Sequence, residues 1–516
     1  MSRAPVGMGL LFYPRGGSAQ VVRYLVPALE RAGWPVALVA GSLGAPGDRR
    51  HAASFFKHDL LTPVPYDAAV EAHAQGRDAM AEPIPMHPSF EDRPGAPDPV
   101  FAALSPAAGD HQARAWQDIL RRAWAKPPSV LHLHHLTPLH EAATALFEET
   151  PLVTHLHGTE ILLLEQIDRL AAIARSLGTD LAGMAGGPPA GWEADEDLTR
   201  DERHLIAETR WERWVHGDHW ARRLRAAAAR SDRVVAISPH LREESAKVLG
   251  LAPERLLSIP NGVDVERFER RTLSSSERME RWRRWLVEAP QGWDESGVPG
   301  SIAYREEDLR WFRAGPDGHA PVLLFVGRFT EVKQLPLLIR AYARARERLA
   351  HPAPLVVWGG FPGEWEGAHP ASVAREVGAD GIFFVGWRGH TDLPEGLACA
   401  DVMVAPSTRE GFGQMLVEAM ACGLPVIATR SGGPTSFVNT DPARPNGWML
   451  DPDDEEGLVA ALVEAVNDDT ARRDRGEAAY EQVRRSSSWD AVAERFGALY
   501  EELLAARTRP SLITGS

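Results

Sequence analysis

The chain is poor in cysteine, in lysine and in positive charge. Its two cysteines, Cys399 and Cys422, match no metal-knuckle spacing. A disulfide-stapled secreted scaffold is therefore excluded, and a reducing compartment is the default. Of 56 basic residues only four are lysines, Lys57, Lys126, Lys247 and Lys333, which marks each of them out in an arginine-dominated chain. The formal net charge of −15 excludes a nucleic-acid binder with a general basic face. It leaves room for phosphate ligands, which a few local cations suffice to hold. No apolar run approaches the roughly 18 residues a membrane span needs, and the N-terminus reads as no signal peptide, so a cytoplasmic location is expected.

What is present is ordinary for a soluble globular protein: 516 residues, 44% apolar and 25% charged, enough for two or three domains. Short apolar runs alternate with stretches of helical period. Gly9–Tyr13, Pro35–Ala40, Ser129–Leu136, Pro151–Leu156, Arg233–Ser238 and Arg255–Ile259 read as buried strands. Gly16 and Gly17 form a turn before a helix that contains an awkward Pro27, and residues 44–115 read as loops and short helices. A second alternating series runs from Pro321–Val326 through Pro354–Trp358, Ile382–Val385 and Asp401–Ala405 to Pro425–Thr429. Such alternation predicts parallel sheets covered by helices.

The densest signal is Asp401–Thr429, DVMVAPSTREGFGQMLVEAMACGLPVIAT. Glu410 precedes Gly411–Phe412–Gly413 in the loop after a strand, and Glu418 lies on the following helix. Glycines let backbone N–H groups approach an anion, and the helix N-terminus adds a favourable dipole. A diphosphate fits that end, and a carboxylate on either side can accept hydrogen bonds from sugar hydroxyls.

These residues resemble the Glu-seven-Glu motif of retaining glycosyltransferases of the GT-B fold, family four type (glycosyl transferases group 1). PVLLFVGRFTEVK at 321–333, RLLSIPNGVDVERF at 255–268, PLVTHLHG at 151–158 and the Gly16–Gly17 loop are similar to that family's other segments. The resemblance implies an α/β protein of GT-B architecture, with two Rossmann-like doubly wound parallel-sheet domains facing across a cleft. The domains expected are an acceptor domain over 1–264 with a helical insertion at about 160–230, a linker or insertion over 265–318, and a nucleotide-sugar donor domain over 319–485. A final segment, 486–516, contains a helix packing back on the first domain, then a tail.

The same resemblance assigns site residues. Arg328 and Lys333 hold the donor diphosphate, whose charge grows as the glycosidic bond breaks. Glu410 lies near the transferred sugar and Glu418 on the ribose hydroxyls. Gly411, Phe412 and Gly413 line the sugar, while Gln414, Met415 and Leu416 offer N–H groups to phosphate. Gly16 and Gly17 approach from the other domain, His157 faces the transferred hexose, and Gly386 and Arg388 frame the base. Where the family carries an acidic residue after the glycine pair, this chain has Pro434, Thr435 and Ser436 after Gly432–Gly433. The reaction implied moves a hexose-type sugar, with retention, from a nucleotide-diphosphate sugar to an unidentified acceptor, a small molecule, sugar or lipid linked through oxygen, nitrogen or sulfur. No metal or other cofactor is required, because the cation pair stands in for one. Oligomeric state is left open.

Three rival readings follow from particular residues or from the fold. His132, His134, His135, His140, His155 and His157 cluster, and His132 and His134 share a strand face, as in a metal-dependent hydrolase. A GT-B nucleotide-sugar epimerase and an inactive sugar-nucleotide binder share the fold. The acidic runs Asp195–Asp197 and Asp451–Asp453 read as solvated or capping carboxylates. Trp211, Trp214 and Trp220 among arginines, and Trp282 and Trp285 with Arg283 and Arg284, suit either a packed helix or weak peripheral contact with a membrane.

Overall fold

A computed structural model describes residues 3–93, 95–314 and 318–508. The chain divides into two compact units, Met1–Pro260 with Val492–Ser516, and Asn261–Ala491.

The first unit is built on seven parallel strands: β1 (Val6–Leu10), β2 (Val36–Ser42), β3 (Leu61–Pro65), β4 (Leu131–His134), β5 (Leu152–Leu156), β6 (Arg233–Ala236) and β7 (Leu256–Ser258). Their order is β3-β2-β1-β4-β5-β6-β7. Every residue of β1, β4 and β5 is buried, because a sheet covered by helices has no solvent face. Strand order reverses between β1 and β4. Chains leaving the carboxyl ends of these strands turn to opposite sides, which opens a crevice there.

The second unit starts with a hairpin, β8 (Arg313–Ala314) and β9 (Gly318–His319). It then repeats the plan with β10 (Leu323–Gly327), β11 (Leu355–Gly359), β12 (Ile382–Gly386), β13 (Val402–Ala405), β14 (Val426–Thr429) and β15 (Gly447–Leu450), all parallel in the order β12-β11-β10-β13-β14-β15. Its reversal lies between β10 and β13. Each unit is thus a doubly wound, Rossmann-like α/β domain, and the pair of them makes GT-B architecture.

One stretch differs from the sequence reading. Residues 44–115 hold more than loops: β3 joins the sheet edge and Pro106–Ala123 is a full helix. β3 escaped notice because Pro63 and Pro65 interrupt it and only Val64 is buried, features that an edge strand tolerates. The helix is capped by Ser105 Oγ, which accepts the Ala108 N–H at 3.3 Å, and it buries Trp116, Ile119 and Leu120 as one stripe. The Gly16–Arg31 helix runs through Pro27.

Residues 265–314 fall within the second unit. Trp282 meets Phe312 and Trp285 meets Trp358, with ring centroids 5.1 and 5.0 Å apart. Arg278, on the helix Ser275–Arg283, grips Asp401 at 2.5 and 3.1 Å and the Cys399 carbonyl at 2.6 Å. The Asp401 carboxylate also accepts the Val322 N–H at 2.8 Å. Burial pushes its carboxyl up, but Arg278, His319 and that N–H outweigh burial and hold it well below the ordinary carboxylate range.

Of the two readings of the tryptophan stretches, packed helix or membrane contact, the structure shows packing. Trp211, Trp214, Trp220, Trp282 and Trp285 are all buried. Their arginine neighbours form ion pairs: Arg210 and Arg213 with Asp92, Arg223 with Glu141 and Asp110, Arg283 with Glu306. Among the described residues no helix is long and apolar enough to cross a membrane. The helix Trp489–Thr508 buries Phe496 and Tyr500, and Tyr500 packs its ring on Trp34 of the first unit.

Arg278→Met leaves the Asp401 carboxylate buried without its partner, and such one-sided losses cost about 3–5 kcal/mol. Urea denaturation is expected to show the second unit destabilised by that amount at neutral pH. The gap should close as pH falls below the ordinary carboxyl value, where the unfolded chain takes up the proton first.

Candidate functional site

The richest constellation stands at the carboxyl ends of β10 and β13, the reversal point of the second unit. β10 ends at Gly327, and Arg328 follows, exposed and without an ion pair among the described residues. The chain then makes a single turn at Glu331–Lys333, which brings Lys333 back over the sheet end. Lys333 Nζ lies 2.5 Å from Glu410 Oε2, with both side chains largely buried. The two loops are also joined through the backbone, where the Thr408 N–H donates to the Val332 carbonyl at 2.9 Å.

Glu410 is held by its neighbours rather than by its own rotamer alone. Ser407 Oγ donates to Glu410 Oε2 at 3.4 Å, and the Gly433 N–H donates to the Glu410 carbonyl at 2.7 Å. Gly432 has φ +74° and lies so close that a Cβ there would stand 2.0 Å from the Glu410 carbonyl oxygen. Gly413, at φ +93°, makes the left-handed step from this loop into the helix Gln414–Ala421.

At the helix start the N–H groups of Gln414 and Met415 have no acceptor within the helix, whereas the Leu416 N–H already donates to the Gly413 carbonyl at 2.9 Å. The Gln414 side chain is likewise committed, to the Gly262 carbonyl at 3.0 Å. Phe412 is buried against Phe437, while Gly411 borders open space. Glu418 is nearly buried, and His390 Nε2 lies 3.1 Å from its Oε1.

Gly386 and Arg388 take a different part from the one expected of them. Arg388 donates to the Trp285 and Ala289 carbonyls at 2.7 and 2.5 Å. Burial pulls its guanidinium down to about 10. A Cβ on Gly386 would meet the Gln291 carbonyl oxygen at 2.0 Å. Both residues anchor the segment 284–291, so the Arg388 guanidinium is already spent.

The first unit has its own reversal point at the ends of β1 and β4. Gly16 and Gly17 open the helix Gly16–Arg31 there, both exposed with open space around them. Arg15, just before them, pairs at 2.5 Å with Asp98, a buried carboxylate that Arg93 also grips. One residue past β5 stands His157, half-buried, with Nε2 2.9 Å from His134 Nδ1. Its backbone N–H donates to Glu160 Oε1 at 2.9 Å, and Glu160 Oε2 lies 3.2 Å from His135 Nδ1. Burial, then the neighbouring imidazoles, hold His157 and His134 well below the ordinary histidine value.

The expected histidine cluster is therefore real, and His132, His134 and His155 can each bring one nitrogen to within 4.8 Å of the others. The His132 and His134 rings lie 13° from parallel, while the His155 ring is tilted by 36° and 33° from them. Two of the ring nitrogens already have partners, His132 Nδ1 with the Tyr500 hydroxyl and His134 Nδ1 with His157 Nε2.

Glu160, His390 and the Gly432–Gly433 clamp escaped the sequence reading. Glu160 had a usable signal, an acid three residues after His157 and directly before the apolar run Ile161–Leu164. His390 had none, since only the fold brings it to Glu418.

The Glycosyltransferase Family 4 model matches residues 15–267 and the Glycosyl transferases group 1 model residues 310–482. The chain is thus related to the GT-B-fold glycosyltransferases of these two families. It is 31% identical over 288 residues to D-inositol 3-phosphate glycosyltransferase 2 of Catenulispora acidiphila, a match covering 54% of this chain and 59% of the relative. Matches to three further curated relatives span 48–55% of their length, so the chain spans about half of such proteins. Among solved structures, sucrose-phosphate synthase of Thermosynechococcus elongatus superimposes with TM-score 0.56 at 19% identity, covering 98% of this chain and 100% of that one. The catalytic domain of starch synthase IV of Arabidopsis thaliana gives 0.60 at 15%, with coverage of 98% and 100%. At such identities these two establish the fold alone.

Gly432→Ala should displace the Glu410 carbonyl and cost about 1–3 kcal/mol through backbone strain. Gly411→Ala, where a Cβ meets nothing within 4 Å, should leave stability unchanged. Paired urea titrations of the two variants check this.

Proposed function

We infer that this chain is a retaining, metal-independent hexosyltransferase, which moves a sugar from a nucleoside-diphosphate sugar to an acceptor hydroxyl. The observation that carries the reading is the set of groups at the β10/β13 reversal: exposed Arg328, Lys333 bonded to Glu410, and two N–H groups at a helix start. Such a set suits a diphosphate next to a sugar. An ammonium has three donors. One goes to Glu410, and two remain for phosphate oxygens.

As the bond from the sugar to the diphosphate breaks, negative charge gathers on the departing phosphate. Arg328, Lys333 and the helix start favour that charge more than the ground state, which lowers the barrier. Glu410 lies where it can accept from the sugar's hydroxyls, and Glu418, oriented by His390, from those of the ribose. His157 is carried over from the family's pattern as a polar contact to the transferred sugar. No residue is assigned as general base: on the retaining course the departing phosphate oxygen takes the acceptor's proton on the face it leaves.

The Catenulispora relative is named for D-inositol 3-phosphate. A phosphorylated polyol is accordingly the first acceptor to try, with free sugars and lipid-linked sugars after it.

The test is transfer from a panel of nucleoside-diphosphate hexoses, with the product's anomeric coupling read by NMR. Retention is expected, and inversion would overturn the mechanism. Lys333→Ala should lower turnover about 100-fold or more, as for loss of an electrostatic donor at a transition state. A chelator should leave the rate unchanged. Donor conversion without any acceptor would instead reveal an epimerase.

A further inference from the structure

The ladder of imidazoles behind His157 carries information about where its proton lies. His134 is fully buried, and its Nδ1 is 2.9 Å from His157 Nε2. One proton lies between those nitrogens, on one side or the other. The remaining nitrogen of His134, Nε2, is buried with no hydrogen-bond partner among the described residues.

Suppose His157 were the donor. His134 would then carry its own proton on Nε2, and a buried N–H would be orphaned, left with its full desolvation penalty. Suppose instead that His134 donates through Nδ1–H. Its Nε2 is then a bare lone pair, and under-satisfied acceptors are tolerated more often than orphaned N–H donors. His157 is half-buried, so water can serve its outer nitrogen in either state. The balance is decided at His134, and it favours donation from His134 to His157.

We propose that His134 is a positioning residue that fixes His157 as the Nδ1–H tautomer, so that His157 meets a ligand as a hydrogen-bond donor and not as a base. The proposal rests on the preceding reading, in which His157 contacts the transferred sugar. It adds the chemical sense of that contact: His157 selects an acceptor atom, a sugar hydroxyl oxygen or a phosphate oxygen.

Three further contacts keep the geometry. The His157 N–H is tied to Glu160 Oε1 at 2.9 Å, and Glu160 Oε2 is tied to His135 Nδ1 at 3.2 Å. The His135 ring packs on that of His157 at 4.5 Å between centroids. The backbone therefore cannot swing away from His134 without breaking a buried carboxylate's bonds. Burial and the neighbouring imidazoles also favour the neutral state of both His134 and His157.

The experiment has a spectroscopic and a kinetic arm, both on the full chain. In the first, the protein carries 15N-labelled histidine, and long-range 1H–15N correlations report the tautomer. The His157 signal is identified by its loss in His157→Gln. An Nδ1–H pattern is expected, and an Nε2–H or doubly protonated pattern at neutral pH would overturn the proposal.

The second arm compares His134→Asn with His134→Leu. The Asn amide places an N–H close to where His134 Nδ1 lies, whereas Leu fills the space without a donor. Asn should keep the tautomer and leave kcat/KM within about threefold, while Leu should lower it about tenfold, the effect of one directed hydrogen bond. A merely structural role predicts the reverse, since a buried site accepts Leu more readily than Asn, and Leu matching or exceeding Asn would overturn the proposal. If the wild-type chain transfers no sugar from any donor, the functional reading fails, and the tautomer is still decided by the first arm.

Discussion

The ion pair between Lys333 and Glu410 ties together two loops that leave the sheet on opposite sides of its reversal. The two side chains are about equally buried and lie 2.5 Å apart. Partial burial weakens solvent screening, so the pair holds Lys333 over the sheet end while Gly432 and Gly433 hold Glu410 from behind. Without the left-handed step at Gly413 the helix start would not follow Glu410 directly, and without β10 and β13 as neighbours the loops would not meet. The chemistry of the site thus depends on strand order before it depends on any single side chain.

The first unit uses the same strand order for a different purpose. Its β4 and β5 place His134 beside His155 in register, and the imidazoles of His132, His134 and His155 pack together behind His157. Burial keeps such rings neutral, which suits hydrogen bonding and not charge. In the second unit the stretch 265–314 is made part of the domain by tryptophan packing and by the clasp of Arg278 on Asp401.

Much of this could be read from the residues alone. Central parallel strands are continuous apolar runs, so most of both sheets was visible, as were Lys333 and the Glu410–Glu418 segment. Two edge strands were not, whereas the edges β7 and β12 were: β3 is broken by prolines and β15 is four residues with a glycine. The Pro106–Ala123 helix hid because its buried stripe includes Gly109 and Gln112. Arg388 was misjudged because its partners, Trp285 and Ala289, lie about a hundred positions earlier and no spacing rule reaches them. The tryptophan and arginine stretches were ambiguous for a similar reason. Composition cannot say which face of a helix is covered.

The most direct measurement is calorimetric titration of the chain with uridine, guanosine and adenosine diphosphates, repeated on Arg328→Ala. The account predicts that one of them binds with one-to-one stoichiometry, and that the variant binds it markedly more weakly while keeping its fold. Equal affinity in both proteins, or no binding of any nucleoside diphosphate to the wild type, would contradict a diphosphate site at the β10/β13 reversal.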